Sequence, residues 1–251
     1  MANCKERVLR RAILASVTFV VVSSFVVWSI QALRESQRIK RRSLCVHRLL
    51  TINLLLHTYH AKYGHFPPAV VRDVKGNPLY SWRLLILGTS GIDKYVKIYK
   101  SFDHTEPWNS KRNLAILDCM PEFYACPSAE FNNKTVTGHS NYVAIVGPST
   151  VFPNNDWVSI GDIQDELQNT LLITETTPGV PWTAPSDLDI GDISVKTKAG
   201  KQHTISSEEW ECANALMANS TVIKICNTLT QEEMIELVTI KKTDITKGHK
   251  K

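Results

Sequence analysis

The stretch SLCVHRLLTINLLLHTYHAKYGHFPP, residues 43–68, decides how this chain is built. Cys45, Leu49, Ile52, Leu56, Tyr59 and Tyr63 recur at spacings of 4, 3, 4, 3 and 4, which lays them along one face of an α-helix. Gly64 then offers a C-terminal cap, and Pro67-Pro68 forbid continuation. Upstream, AILASVTFVVVSSFVVWSIQAL, residues 12–33, runs for 22 positions without a charged side chain. As a helix it spans about 33 Å, enough to cross the hydrocarbon core of a bilayer. If Ala12 to Tyr63 is one helix, its length is about 78 Å, with the first half suited to lipid and the second to packing on a globular head.

Three readings of residues 12–33 compete: a retained membrane anchor, a cleaved secretory signal and a buried core helix. Secretory apolar regions are usually shorter, and Ser29-Ile30-Gln31-Ala32 puts Ile where a cleavage site needs a small residue, so the anchor is favoured. Basic residues flank both ends, with a local charge of +3 before the segment and +4 from Arg34 to Arg42. Charge alone therefore does not orient it.

The 251 residues allow one globular domain with an accessory segment, or two small domains, and 43% hydrophobic with 21% charged residues is a folded composition. The net charge of +5 is uneven: residues 1–42 carry nine basic and two acidic side chains, a net of +7, and the remainder carries 20 and 22, a net of −2. The basic balance thus belongs to the flanks of the apolar segment and to a lysine-rich tail, 241–251, which argues against a nucleic-acid partner.

Six cysteines lie at 4, 45, 119, 126, 212 and 226, with no Cys-x-x-Cys, so neither a zinc ribbon nor a thioredoxin-type pair is supported. In CANALMANSTVIKIC, residues 212–226, a two-residue turn at Asn219-Ser220 would pair Ala213 with Cys226 and leave Cys212 one position out of register. That is near enough for a Cys212–Cys226 disulfide in an exported domain; two buried thiols are the other reading.

Between these landmarks SWRLLIL (81–87) reads as a short helix or a strand, and NSKRNLAILDCM (109–120) as a helix capped by Asn109 or Ser110. NYVAIV (141–146), NTLLITE (169–175), DISVK (192–196) and the 212–226 hairpin read as strands. Thr230 and Glu233 form a capping box for a last helix. Helices early and antiparallel strands late give an α+β class.

Signatures of chemistry are sparse. GxSxG, HExxH, the Walker A loop and GxGxxG are all missing, so an enzyme is not expected. His57 and His60, three apart on the helix, with His65 just past its end, have a spacing that suits a divalent metal, or else they cap and pack. Asp187, Asp189 and Asp192 around Gly191 suit a calcium ion, or else form a solvated loop; no other cofactor is indicated. Asn133 and Asn219 fit the N-glycosylation pattern, which has meaning only in a eukaryotic secretory pathway. Trp108 and Trp182, beside prolines, offer either a sugar- or peptide-binding platform or loop closure over a core.

Taken in order, RRSLCVHRLLTINLLLHTYHAKYGHFPPA, LYSWRLLIL, EPWNSKRNLAILDCMPEFYACPS, SNYVAIVGPSTVF, NTLLITET and GVPWTAPSDL resemble the DUF1559 family, planctomycete proteins similar to type II secretion pseudopilins and type IV pilins. The resemblance covers about residues 38–240. It implies a basic cytoplasmic leader (1–11), a transmembrane helix (12–33), a helical extension (34–63) and a pilin-like head (64–240) facing the periplasm from the inner membrane. It also implies a non-catalytic, structural or interaction role, with the bilayer and other pseudopilins or secretion components as partners. A minor pseudopilin of such a filament and an extracytoplasmic glycan- or metal-binding module are the alternatives. The chain departs from the family at both ends. Arg11 leads directly into the apolar run, without the Gly and the fifth-position Glu of a prepilin start, and the family's His-x9-Asp-Gly motif falls on Glu209 and Asn219-Ser220. The first departure implies a permanent anchor rather than a processed subunit; the second implies that this copy of the motif keeps only the hairpin.

Overall fold

In the computed structural model, which describes residues 2–131, 136–153, 156–193, 204–207, 212–226 and 228–241, the first helix, α1, runs from Ala2 to Tyr63. It ends where Gly64 takes φ +82° and returns its N–H to the His60 carbonyl at 2.7 Å. Glycine adopts that left-handed conformation without penalty. The chain divides into two compact units, Met1–Ser43 and Leu44–Lys251.

The first unit is helix alone. Its large apolar side chains are exposed, Phe19 at 74% and Trp28 at 64%. Thr18, Ser23, Ser24 and Ser29 turn their hydroxyls back onto the carbonyls of Leu14, Val20, Val20 and Phe25. Polar groups satisfied within the helix are what a hydrocarbon surrounding demands. The helix is long and apolar enough to cross a membrane.

The second unit begins with the remainder of α1, where Cys45, Leu49, Ile52, Leu56 and Tyr59 are buried. Burying each of the aliphatic members contributes about 1.5–3 kcal/mol. Tyr63, expected on the same face, is 49% exposed and rests on the Tyr59 ring instead, 4.5 Å between centroids, because the helix ends there. A two-stranded ribbon, β1 (Val70–Arg72) with β2 (Pro78–Ser81), leads into α2 (Trp82–Gly88) and α3 (Asp93–Ser101). SWRLLIL is thus helical, capped by Ser81, whose hydroxyl accepts from the Arg83 N–H.

The helix expected over 109–120 is only α4 (Lys111–Leu114) followed by a single 3-10 turn at Leu117–Cys119. The buried Asn113 amide explains the break: it donates to the carbonyls of Asp103, Glu106 and Pro107 and fixes the loop on which the helix sits. After α5 (Pro127–Phe131) comes the main sheet: β3 (His139–Val146), β4 (Leu171–Pro181), β5 (Leu188–Asp189), β6 (Thr204–Ile205), β7 (Cys212–Met217) and β8 (Val222–Cys226). Its order is β5-β3-β4-β7-β8, with β6 beside β4; among the described strands the β3–β5 pairing is parallel and the others are antiparallel. The strand expected over 192–196 is absent where it is described, since Ile190–Asp192 form a 3-10 turn; 194–196 lie outside the described residues.

The sheet has two covered faces. Tyr142, Ala144, Leu172 and Leu216 join Leu49, Ile52 and Leu56 in one cluster. Val143, Ile145, Ala213, Ala215 and Met217 join Met234 and Val238 of the last helix, α6 (Gln231–Val238), in another. The period-two alternation of β3 and β7 sorts them. Thr230 caps α6, accepting from the Glu233 N–H while its own N–H donates to Glu233 Oε2 at 2.7 Å. The architecture is α+β, a long N-terminal helix followed by an antiparallel head, in a pilin-like layout.

The hairpin register corrects the sequence expectation by one residue. Cys212 pairs directly with Cys226, and Leu216 with Val222. The connection is three residues long, Ala218 to Ser220, closed by the Ser220 N–H to Met217 O at 3.0 Å, with Ser220 at φ +68°. Three-residue hairpins place their last loop residue in the left-handed region. The loop is also anchored from outside, through the Ala218 N–H to Thr170 O and the Asn219 N–H to Leu167 O. A left-handed residue with a Cβ costs about 1–2 kcal/mol, most for a branched one. Urea unfolding of the full chain in detergent should therefore find Ser220→Ile at least about 1 kcal/mol less stable than Ser220→Gly; equal midpoints would show that the loop relaxes freely.

Candidate functional site

Ser81 and the first turn of α2 deliver Arg83 into the interior, where it is 0% exposed. Its guanidinium donates through Nη2 to Asp187 Oδ1 at 2.7 Å, through Nε to the Tyr142 carbonyl at 3.0 Å and through Nη1 to Ser81 Oγ at 2.8 Å. The same Asp187 oxygen accepts from Trp82 Nε1 at 3.2 Å and from the Ala144 N–H at 2.8 Å. Tyr124 closes the group by donating its hydroxyl to the Arg83 carbonyl at 2.7 Å, and burial pushes that phenol well above its ordinary value.

This arrangement takes Asp187 away from Asp189 and Asp192, the other two members of the calcium candidate. The Asp187 side chain points inward and belongs to Arg83, at 2% side-chain exposure. Asp189 Oδ1 accepts from the Gly191 N–H at 2.8 Å, an Asx turn, and Asp192 is exposed.

The three histidines also go separate ways. His57 Nε2 lies 3.5 Å from Ser220 Oγ, His60 Nε2 accepts from the Ile160 N–H at 3.1 Å, and His65 Nδ1 meets the Phe66 carbonyl at 2.7 Å. Burial, seconded by the neighbouring imidazole, lowers the pKa values of His57 and His60. A helix-end packing role accounts for them.

Of the two readings of Trp182, binding platform or closure over a core, the structure places it in the core: it is 0% exposed, its Nε1 donates to the Leu117 carbonyl at 3.3 Å and its ring is stacked on Tyr124. Trp108 is half-buried against the core, its N–H bonded to Leu79 O at 2.7 Å. Among the described tryptophans of the second unit the exposed one is Trp157, 64% exposed and stacked on His65 with centroids 5.1 Å apart. Its setting in Asn-Asn-Asp-Trp, with no apolar neighbour before it, was the signal in the sequence.

Among the described residues, one group of three metal-ligating types converges: Cys45 of α1, Cys126 before α5 and Glu175 of β4, all buried, with ligand atoms within 4.8 Å of one another. Glu175 is held by the Asn214 N–H at 2.9 Å and its side-chain amide at 2.8 Å. In sequence it ends an apolar run and reads as a solvent-side residue; the irregular register between Ser140 and Tyr142, opposite, belongs to the same stretch of sheet. Cys212 and Cys226 form a disulfide across the hairpin. The positions that the His-x9-Asp-Gly motif would occupy are Glu209, outside the described residues, and the loop residues Asn219-Ser220; Asn133 is likewise undescribed.

The profile of the DUF1559 family, described as proteins of unknown function, matches residues 31–240. The chain belongs to the DUF1559 family. No curated protein and no solved structure matches it. Within this DUF1559 chain the matched span takes in Arg83, Asp187 and the Cys45–Cys126–Glu175 group, while residues 12–30 precede it.

Two outcomes follow from the geometry. Asp187→Asn strands the Arg83 charge in the core and should cost about 3–5 kcal/mol by urea unfolding, the loss expected when one partner of a buried pair is removed. Lowered imidazole pKa values mean that the unfolded chain takes up protons before the folded one. The associated stability is present above the ordinary 6.5 and is lost as pH falls below it. A His60→Gln variant should show a flatter stability–pH profile below that value.

Proposed function

We propose that the protein is a pseudopilin-like, single-pass anchor of the inner membrane that displays its α+β head in the periplasm for a structural or interaction role rather than catalysis. The observation that carries this reading is α1. One stretch of it, residues 12–33, is apolar on every side and satisfies its own hydroxyls, and a later stretch buries a single stripe in the head. A helix with those two kinds of surface suits lipid along one length and protein along the other. The polar side chains buried in the head support a non-catalytic role, because Arg83, Asp187 and Asn113, like the half-buried His60, are committed to holding backbone or one another. The reading assigns the head to association with other pseudopilins or secretion components, and the domain layout to a leader at 1–11, a span at 12–33, a helical extension at 34–63, a head at 64–240 and a tail at 241–251.

One observation favours a second reading, an extracytoplasmic ligand-binding module. Trp157 and His65 present a stacked aromatic surface to solvent, a shape that suits the face of a sugar ring.

The intact mass of protein extracted with detergent from native membranes decides the anchor. A mass equal to the whole translated chain, with or without the initiator Met, is expected, and alkaline carbonate should leave the protein in the membrane pellet. Cleavage after Arg11 with an added N-methyl group would make it a processed pilin, and cleavage after Ala32 a secreted head; either overturns the anchor.

A further inference from the structure

Cys45 and Cys126 stand 81 positions apart in sequence, yet their sulfur atoms lie 3.2 Å from each other. Both are buried, at 2% and 3% exposure, with Ala129 beside them. The separation is shorter than van der Waals contact between two sulfurs and longer than the covalent bond by about 1 Å. Contacts other than the thiols already hold the two segments together. Arg48 Nη1 donates to the Ala125 carbonyl at 2.7 Å, the Cys126 N–H donates to Asn141 Oδ1 at 3.0 Å, and the Tyr142 hydroxyl reaches the Cys45 carbonyl at 3.5 Å. The head also contains the Cys212–Cys226 disulfide, so conditions that oxidise one pair find a second within reach.

We propose that Cys45 and Cys126 are a disulfide pair that covalently fastens the N-terminal helix to the core of the head. The bond forms by exchange with an external disulfide, either a small molecule or a protein oxidant. One cysteine loses its proton and its thiolate attacks a sulfur of that disulfide, making a mixed disulfide and expelling one thiolate. The second cysteine, deprotonated in turn, attacks the mixed disulfide at the protein sulfur and expels the other thiolate. Two S–H bonds are lost and one S–S bond is gained, while two electrons and two protons pass to the oxidant, which leaves as two thiols. In the closed core the Cys45 thiol is pushed far above its ordinary value, by its contact with Cys126 first and by burial second. Exchange therefore takes place while the segment is open, and folding then shields the product. The crosslink is independent of the pseudopilin reading, since a ligand-binding head would be fastened in the same way.

Glu175 gives the rival chemistry, because two thiolates and a carboxylate in that space also suit a thiophilic divalent cation such as zinc. One experiment separates the two. The full chain, produced by an exporting host and purified in detergent without reductant, is unfolded, alkylated with N-ethylmaleimide, cut with chymotrypsin without reduction and read by mass spectrometry. Cleavage after Phe123 and Tyr124 parts Cys119 from Cys126. The exposed Cys119 serves as the alkylated control. The expected result is a linked Cys45–Cys126 peptide pair that dithiothreitol separates. Alkylation of both Cys45 and Cys126 alongside an intact Cys212–Cys226 link overturns the proposal, and zinc recovered in equimolar amount with both thiols alkylated overturns it in favour of a metal site. As a second check, Cys45→Ser should free Cys126 for alkylation and lower the urea midpoint without reductant but not with it. An equal loss in both conditions means that the sulfur only fills space, and the crosslink is rejected.

Discussion

The ion pair between Arg83 and Asp187 is the contact around which the head is arranged. Two charges removed from water cost several kcal/mol each, and attraction offsets this only where the remaining donors and acceptors also find partners. Here the guanidinium reaches a carboxylate, a hydroxyl and a strand carbonyl at once, and Asp187 Oδ1 receives an indole and a backbone N–H besides, while Asp187 Oδ2 is buried without a hydrogen-bond partner among the described residues. Those partners come from β2, α2, β3 and the segment entering β5. The pair therefore locates α2 against the sheet and brings Leu188 beside Ile145 for the parallel pairing at the edge. An apolar pair of the same volume would pack there, but it would leave the Tyr142 carbonyl and Ala144 N–H without those partners.

Around that pair the sheet is closed on both sides by helices from opposite ends of the chain. The buried stripe of α1 covers one face, together with Trp82, Phe152 and Tyr124 in edge-to-face and tilted contacts. The other face is covered by α6, which relies on its capping box because it is short. Helix length divides the labour: eight residues suffice to cover part of a sheet, whereas α1 has surface far beyond what the head can bury. The excess includes the apolar run at 12–33, which is long and apolar enough to cross a membrane.

The elements legible in the sequence were those written in strong periodicity or caps. The stripe from Cys45 to Tyr59, the Gly64 stop, the alternating strands and the Thr230–Glu233 box each depend on residues within a turn or two of one another. What sequence did not disclose depends on distant partners. Asp187 looks like a loop acid until Arg83, 104 positions away, is placed beside it. Trp182 looks like a loop aromatic until Tyr124 stacks on it. Asn113 ends a helical pattern through carbonyls six to ten residues behind it. The hairpin register slipped because Ser220 accepts a left-handed conformation that its residue type does not advertise, and because Thr170 and Leu167 hold the loop from a neighbouring segment.

Along α1, Cys45 is the first residue of the head-forming stripe to be fully enclosed; Leu49 and Ile52 follow one and two turns later. If the N-terminal segment is anchored as proposed, a pull delivered through it reaches this end of the stripe before the rest. Apolar contacts resist such a load weakly when it peels them one by one, since each side chain lost is only about 1.5–3 kcal/mol. A fixed point at Cys45 would spread the load over the whole stripe, because the remaining contacts then yield together or not at all. The Arg48 bond to the Ala125 carbonyl lies one turn inward and backs up the same junction. The thiol pair thus sits at the end of the buried stripe that such a load reaches first.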